Sequence, residues 1–106
     1  MDQYTIIRTD VADALLHKII LGIAENFDGD TAINVLNEIE DNIMLLENNP
    51  NMGMKPRYMV LRRQGYQVLI LKKALVFYKV NEFEKIITIH AIVDQRQDYY
   101  DILNGL

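Results

Sequence analysis

The side chains that can carry chemistry lie mostly in the second half of the 106-residue chain. Lys72 and Lys73 stand side by side where a turn is expected, and a second group of cations precedes them. That group consists of Arg57, Arg62 and Arg63. Cations that converge on one face can bind the phosphates of a nucleic acid. The alternative is that they are ordinary solvated charges, or charges that protect a sheet edge from aggregation.

Two further residues could act on a phosphate directly. Arg96 lies just after the last predicted strand. Its guanidinium can hold a phosphate through two parallel hydrogen bonds, or stabilise the charge that builds up during phosphoryl transfer. The alternative is a surface ion pair with Asp94 or Asp98. His90 can be a general acid or base, because an imidazole titrates near neutral pH. The alternative is a structural histidine, since the sequence shows no partner for it.

Regular strand geometry predicts which side chains share a face with His90. In a regular strand His90 shares a face with Thr88 and Ile92. The other face would then carry Ile87, Ile89, Ala91 and Val93. The second histidine, His17, falls in the middle of a helix and is expected to be structural or at the surface.

Composition excludes several classes of site. The chain has no cysteine, which excludes disulfides, a thiol nucleophile and cysteine-based zinc sites. Its five glycines are scattered singly, so there is no glycine-rich phosphate loop. The acidic residues of the second helix are expected on a solvated face, and neither a metal nor a cofactor is expected. The formal net charge of −4 argues against a simple basic nucleic-acid binder. That charge is uneven, however, since residues 1–53 carry −8 and residues 54–106 carry +4.

Hydrophobic periodicity predicts a strand and two helices in the first half. Residues 3–8 are β-branched and aromatic, as in a strand. Apolar residues then recur at helical spacing from Val11 to about Asn26, after a cap at Thr9 or Asp10. A second amphipathic stretch, capped by Asp30, continues to residues 48–50. The short link between them predicts an antiparallel helical hairpin.

The second half is predicted to be rich in strands. Residues 51–65 begin as a loop, and a helical turn is favoured over a strand at 58–64. Strands follow at 66–71, 74–80 and 85–93, with Lys72-Lys73 as a two-residue turn, and one more helical turn is expected at 98–103. This β-α-α-β-β-β order predicts one α+β domain over residues 1–106, an antiparallel meander with the hairpin packed on one face. With no membrane span or signal peptide in sight, a cytoplasmic location is expected.

Two segments near the end of the chain resemble the RelE/ParE toxin superfamily. The first is Leu75-Val76-Phe77-Tyr78-Lys79-Val80-Asn81-Glu82, and the second runs from Thr88 through Asp94-Gln95-Arg96-Gln97-Asp98-Tyr99. The family shows a strand ending in Phe-Tyr-Arg/Lys-Val-Asp-Glu and then a strand ending in Ile-x-x-x-Arg-Arg-Asp-Tyr. Pro50-x-x-Gly53 and Gly65-Tyr66 agree with weaker family motifs. The element order matches as well, so the resemblance covers nearly the whole chain.

The resemblance implies a RelE-like fold and a toxin of a type II toxin–antitoxin pair. RelE-like members cut messenger RNA on the ribosome, whereas ParE-like members inhibit DNA gyrase without cutting. Both are neutralised by a co-expressed antitoxin, which is the expected partner here. We expect translation to be blocked by mRNA cleavage. The alternatives are gyrase inhibition through the helical hairpin, and a degenerate toxin that binds only its antitoxin. The oligomeric state stays open.

The resemblance also implies roles for particular residues. Arg96 would bind or stabilise the scissile phosphate, and Tyr99 would stack on a base or relay a proton. Tyr100 is a second match for that role, and the alternative for both is packing of the last turn against the sheet. Lys72, Lys73 and the arginine group would steer RNA. The chain departs from the family where basic residues are usual on the middle strands, since those positions hold Gln67, Leu69 and Leu75. Asp94 also replaces a histidine that many relatives have.

Overall fold

The computed structural model describes residues 3–95 and Leu103. Its elements in chain order are β1 (Thr5–Arg8), α1 (Asp10–Asn26), α2 (Gly29–Met44), a 3₁₀ helix (Leu45–Glu47), α3 (Met59–Arg63), β2 (Gln67–Ile70), β3 (Ala74–Asn81) and β4 (Ile86–Asp94). The predicted α+β class is confirmed, and α3 is the helical turn favoured for residues 58–64. Of the predicted turn at 98–103, only Leu103 is described; it is buried. No described helix has the length and apolar character that a membrane crossing requires.

The two long helices pair because each presents an apolar stripe to the sheet. Ala12 and Leu16 of α1 are buried, as are Val35, Ile39 and Ile43 of α2. They pack against side chains of β3 and β4 in one continuous core. A fully buried isoleucine or leucine stabilises the fold by roughly 1.5–3 kcal/mol, so this stripe holds the hairpin on the sheet.

The helix caps show one agreement and one difference. Thr9 caps α1 as predicted, and its hydroxyl accepts a hydrogen bond from the Ala12 amide at 3.0 Å. For α2 the prediction of Asp30 as the cap is wrong. Asp28 caps this helix, and its carboxylate accepts from the Thr31 amide at 2.6 Å. Hydrogen bonds from the backbone and the side chain of Thr31 lower the pKa of Asp28. Asp30 lies instead in the first turn, where its charge favours the helix dipole.

The sheet has the strand order β1-β4-β3-β2. β2, β3 and β4 form the predicted antiparallel meander, joined through the Lys72-Lys73 turn, where the Leu71 amide donates to the Ala74 carbonyl at 2.9 Å. β1 lies parallel to β4, with Thr5 opposite Ile86 and Arg8 opposite Ile89. The first strand therefore reaches the sheet only beside the last one, and the helical hairpin forms the connection across one face.

A β-bulge interrupts the pairing of β3 with β4. Phe77 pairs with Ala91, but the next residue, Tyr78, pairs with Ile89, so His90 has no partner in the register. The extra residue reverses the alternation of side chains beyond it. Ile92 consequently packs into the helix-side core with Ile87 and Ile89, while Ala91 and Val93 pack into a second cluster. The regular alternation predicted for this strand is therefore wrong after His90.

The second cluster covers the opposite face of the sheet. Its buried members come from α3, β2, β3 and β4 together with Leu103. They are Leu61, Tyr66, Val68, Phe77, Ala91, Val93 and Leu103. This cluster occupies only part of that face. The polar side chains described below lie beside it on the same face.

A fully buried tyrosine fastens the loop after α2 to the sheet. The Gly53 amide donates a hydrogen bond to the Tyr78 hydroxyl at 2.9 Å, and that hydroxyl donates to the Gln67 side chain at 3.2 Å. Gln67 in turn donates to the Asn51 side chain at 2.9 Å. Met54 then forms paired backbone hydrogen bonds with Val68, of 2.8 and 2.9 Å. The loop thus covers part of the β2 edge, which would otherwise be open.

We predict that Gly53→Ala destabilises the fold, because no side chain fits at this position. An added Cβ would lie 2.5 Å from the Tyr78 hydroxyl oxygen and 2.9 Å from the Val68 carbonyl oxygen. Since Tyr78 is fully buried and cannot swing away, the cost is that of an overpacked core, about 1–3 kcal/mol. Urea unfolding measures it as a lower midpoint.

Gly22→Ala is the matched control. Nothing lies within 4 Å of a Cβ at Gly22, which is inside α1. Alanine there should stabilise the protein by roughly 0.5–1 kcal/mol, because it restricts the unfolded chain and favours a helix. A Gly53→Ala protein as stable as the wild type would show that the Tyr78 contact does not confine the loop.

Candidate nucleic-acid interface

Two of the site residues predicted from sequence lie outside the described part of the chain. These are Arg96 and Tyr99, together with the alternative Tyr100. The other predicted residues, His90, Lys72, Lys73, Arg57, Arg62 and Arg63, are described, and their positions can be compared.

His90 lies on the sheet face away from the helical hairpin, and it has two neighbours. Its ring meets the Tyr66 ring edge-on, with 5.4 Å between centroids and an interplanar angle of 84°. The ammonium nitrogen of Lys79 lies over the same tyrosine ring, 4.5 Å from its centroid. Lys79 and Thr88, which pair across β3 and β4, line one groove with His90. The bulge leaves His90 without a partner in the β3–β4 register, on the face of Tyr66 and opposite the core isoleucines.

The electrostatics of the group favour an uncharged imidazole. Burial lowers the pKa of His90, and the positive charge of Lys79 lowers it further. Burial also raises the pKa of Tyr66, so the phenol keeps its proton at neutral pH. The group therefore presents a neutral base, a cation and a protonated phenol side by side.

A basic groove adjoins this group through Tyr66. It has a volume of about 650 Å³ and runs between α3 and the loop after α2. Its lining includes Lys55, Arg62 and Arg63 beside Tyr66, and none of its described lining residues carries a carboxylate. Arg62 is held in place by a hydrogen bond from its Nε to the Pro56 carbonyl. The groove is thus suited to a polyanion.

The predicted arginine group divides in the structure. Arg62 and Arg63, at the end of α3, line the basic groove, and the left-handed Gly65 (φ 90°) follows them to start β2. Arg57 does not line the groove. Its guanidinium carbon lies 5.5 Å from the centroid of the Tyr58 ring.

Lys72 and Lys73 lie in a different groove. Its other lining residues come from α1 and from the end of β4. They are Ile19, Ile23, Asn26, Phe27, Asp94 and Gln95. Among the described residues, none lines both this groove and the basic groove, so the two predicted clusters of cations do not converge.

Sequence reasoning missed Lys55, Tyr66 and Lys79 as possible site residues. Lys79 carried a usable signal, since it stands two positions after Phe77 and so shares that residue's face of β3. Tyr66 and Lys55 offered none, because their places depend on the turn at Gly65 and on the Tyr78 contact. Among the described residues there is no cluster of three potential metal ligands.

We predict that Lys79→Gln raises the pKa of His90 while leaving it below its ordinary value of 6.5, because burial is the larger cause of the shift. An NMR titration of the imidazole protons measures this, with His17→Gln used to assign the two histidine signals. The lowered pKa of His90 also makes the stability of the folded protein depend on pH. A folded state that disfavours imidazolium loses stability as the pH falls below about 6.5, and Lys79→Gln should reduce that loss. A His90 pKa that does not respond to the substitution would contradict the contact.

Comparisons with known proteins agree with this fold. Residues 6–99 match the family model of the ParE toxin of the type II toxin–antitoxin system parDE. No curated protein sequence matches the chain. Among solved structures, the chromosomal ParDE system from P. aeruginosa contains a chain that is 19% identical and superimposes with a TM-score of 0.71, covering 87% of this chain and 96% of that one. The RelBE2 toxin–antitoxin complex from Mycobacterium tuberculosis gives 17% identity and a TM-score of 0.61, over 88% and 99% of the two chains. Since the family model spans nearly all of the sequence, the chain belongs to the ParE toxins of type II toxin–antitoxin systems, within the RelE/ParE superfamily.

Proposed function

We propose that this toxin blocks translation by cleaving mRNA at the ribosome. One observation carries the proposal: His90, with a lowered pKa, lies beside Lys79 and Tyr66 on a half-buried part of the sheet face that continues into a groove of cations. Cleavage of RNA without a metal needs a neutral base and a cation at one phosphate, and this group contains both.

The reaction that suits these groups is attack by a ribose 2′-oxygen on the adjacent phosphorus. His90 accepts the 2′-hydroxyl proton as the O2′–P bond forms. The ammonium of Lys79 stabilises the extra negative charge on the phosphate oxygens. The P–O5′ bond then breaks, which leaves a 2′,3′-cyclic phosphate and a 5′-hydroxyl. In this proposal Arg96 assists Lys79, and Tyr99 supplies the proton that the departing 5′-oxygen takes up.

The basic groove would hold the RNA backbone on one side of the scissile phosphate. Lys55, Arg62 and Arg63 are placed for this, and they contact phosphates without reading sequence. Lys72, Lys73 and Arg57 lie outside the groove, and their contribution is long-range attraction, which salt screens.

A cognate antitoxin is the proposed protein partner, and the cytoplasm, where ribosomes lie, is the proposed location. The support is that both similar structures are described as toxin–antitoxin systems or complexes. An antitoxin that covers the face of His90 and Lys79 would exclude RNA from it.

Inhibition of DNA gyrase is the second candidate. It is favoured by the family description, which names ParE, and by the higher TM-score of 0.71 with the ParDE chain. In that case the toxin binds and does not cleave, and the contact surface proposed from sequence is the helical hairpin.

We predict that His90→Gln abolishes cleavage. The test is induction of the protein in cells without antitoxin, with translation, mRNA ends and DNA supercoiling measured separately. Removing a general base costs about 10²- to 10⁴-fold in rate, so mapped mRNA cuts should disappear and translation should recover. The matched control is the double variant Lys72→Gln with Lys73→Gln, which removes two cations outside the groove and should leave the cuts in place.

The other outcomes separate the candidates. Loss of supercoiling with unchanged translation would replace cleavage by gyrase inhibition. Normal growth with neither effect would indicate a degenerate toxin that binds its antitoxin alone. Cuts that persist in His90→Gln would remove His90 from the mechanism.

A further inference from the structure

The turn between β3 and β4 carries a fully exposed phenylalanine. Phe83 is 101% exposed, more than any other large apolar side chain in the described part of the chain. The turn around it is well defined, since the Glu84 amide donates to the Asn81 side chain at 3.0 Å and Lys85 adopts a left-handed backbone (φ 57°). A single exposed phenylalanine needs no explanation by itself. Its position is what distinguishes Phe83.

Phe83 lines the same groove as the proposed reactive groups. This groove, of about 470 Å³, is bounded by Lys79, Thr88 and His90 on the strands and by Asn81, Glu82 and Phe83 at the turn. Lys79 and Thr88 pair directly, so the cation and the imidazole lie along the strands toward the sheet interior, and the aromatic ring lies at the tip.

The charges in the groove decide which part of a nucleotide each end can accept. Lys79, on the side of the groove formed by the strands, attracts a phosphate. Glu82 at the tip repels one, but its carboxylate can accept hydrogen bonds from the amino groups of a base. An aromatic side chain offers every base a surface on which to stack. The groove therefore suits one nucleotide, with its phosphate toward Lys79 and its base toward Phe83.

We infer that Phe83 is a stacking platform for a base of single-stranded RNA next to the phosphate bound by Lys79 and His90. This inference rests on the proposed function, since it names a binding subsite of the same groove. It requires an unpaired base, because a base within a duplex is stacked on its neighbours and cannot reach the ring. The substrate class is thus single-stranded RNA, with stacking open to every base and Glu82 favouring a base that carries an amino group.

The test uses the full-length toxin and an uncleavable probe. The probe is a fluorescent single-stranded RNA of about twelve nucleotides in which every ribose carries a 2′-O-methyl group, so that the attacking hydroxyl is blocked. One base is replaced by 2-aminopurine, whose fluorescence falls when it stacks. At low salt, Phe83→Ala should weaken binding about 5- to 150-fold and abolish the quenching of 2-aminopurine. Phe83→Trp should retain both.

Phe27→Ala is the matched control. Phe27 is the other strongly exposed phenylalanine, at 73%, and it lines the grooves beside α1 instead. Its loss should leave affinity and quenching unchanged. Because Phe83 is fully exposed, thermal unfolding of Phe83→Ala should match the wild type.

The outcomes distinguish this subsite from the function on which it rests. If wild-type toxin binds the probe and Phe83→Ala binds it equally well with equal quenching, the platform is overturned while RNA binding stands. If Phe83→Ala weakens antitoxin binding but not RNA binding, the platform is likewise overturned. If the wild type neither binds the probe nor cuts mRNA in cells, the proposed function itself fails and the subsite fails with it.

Discussion

The pairing of β3 with β4 is the constraint on which the rest of the structure depends. These two strands form the centre of the sheet, and each contributes side chains to the cores on both of its faces. Their register positions the helix-side isoleucines, the buried Tyr78 and the polar group around His90 at once. The bulge shifts that register by one residue, so Ile92 joins the helix-side core while Ala91 and Val93 join the cluster on the face of His90.

Much of the fold can be predicted from local patterns in the sequence. The helical hairpin shows in the spacing of apolar residues, and the meander shows in strands bounded by polar turns. The cap of α2 was mistaken because Asp28 and Asp30 are equally good capping residues, and two residues of difference lie within the usual uncertainty of a helix end. The bulge had no sequence signal, since neither glycine nor proline marks it. The assembly of Tyr66, Lys79 and His90 depends on how β2, β3 and β4 pair, so Lys79 and His90 could be suspected singly, but Tyr66 and the group as a whole could not.

Charge is divided unevenly between the two halves of the chain. The first 53 residues, which supply the helical hairpin, carry −8, and the remainder carries +4. Arg8 offsets part of the negative charge locally, through ion pairs of 2.9 Å to Asp13 and 3.2 Å to Glu40. Exposed pairs of this kind add little stability, and the larger effect is on orientation. A polyanion is repelled from the helices and attracted to the groove of Lys55, Arg62 and Arg63, so a modest net charge still produces a directed approach.

Because β1 pairs in parallel with β4, the sheet can be completed only late in folding. Thr5 pairs with Ile86, and the Thr9 amide donates a hydrogen bond to the Ile89 carbonyl at 3.1 Å. Both contacts can form only after β4 has been synthesised. These contacts join strands that lie far apart in the sequence, so their formation closes a long loop, which slows folding relative to local contacts. During synthesis the helices can form early, but the sheet cannot acquire its fourth strand until residue 89 has been added. The face that carries Lys79 and His90 consequently forms only after β4 has been synthesised, later than the helical hairpin.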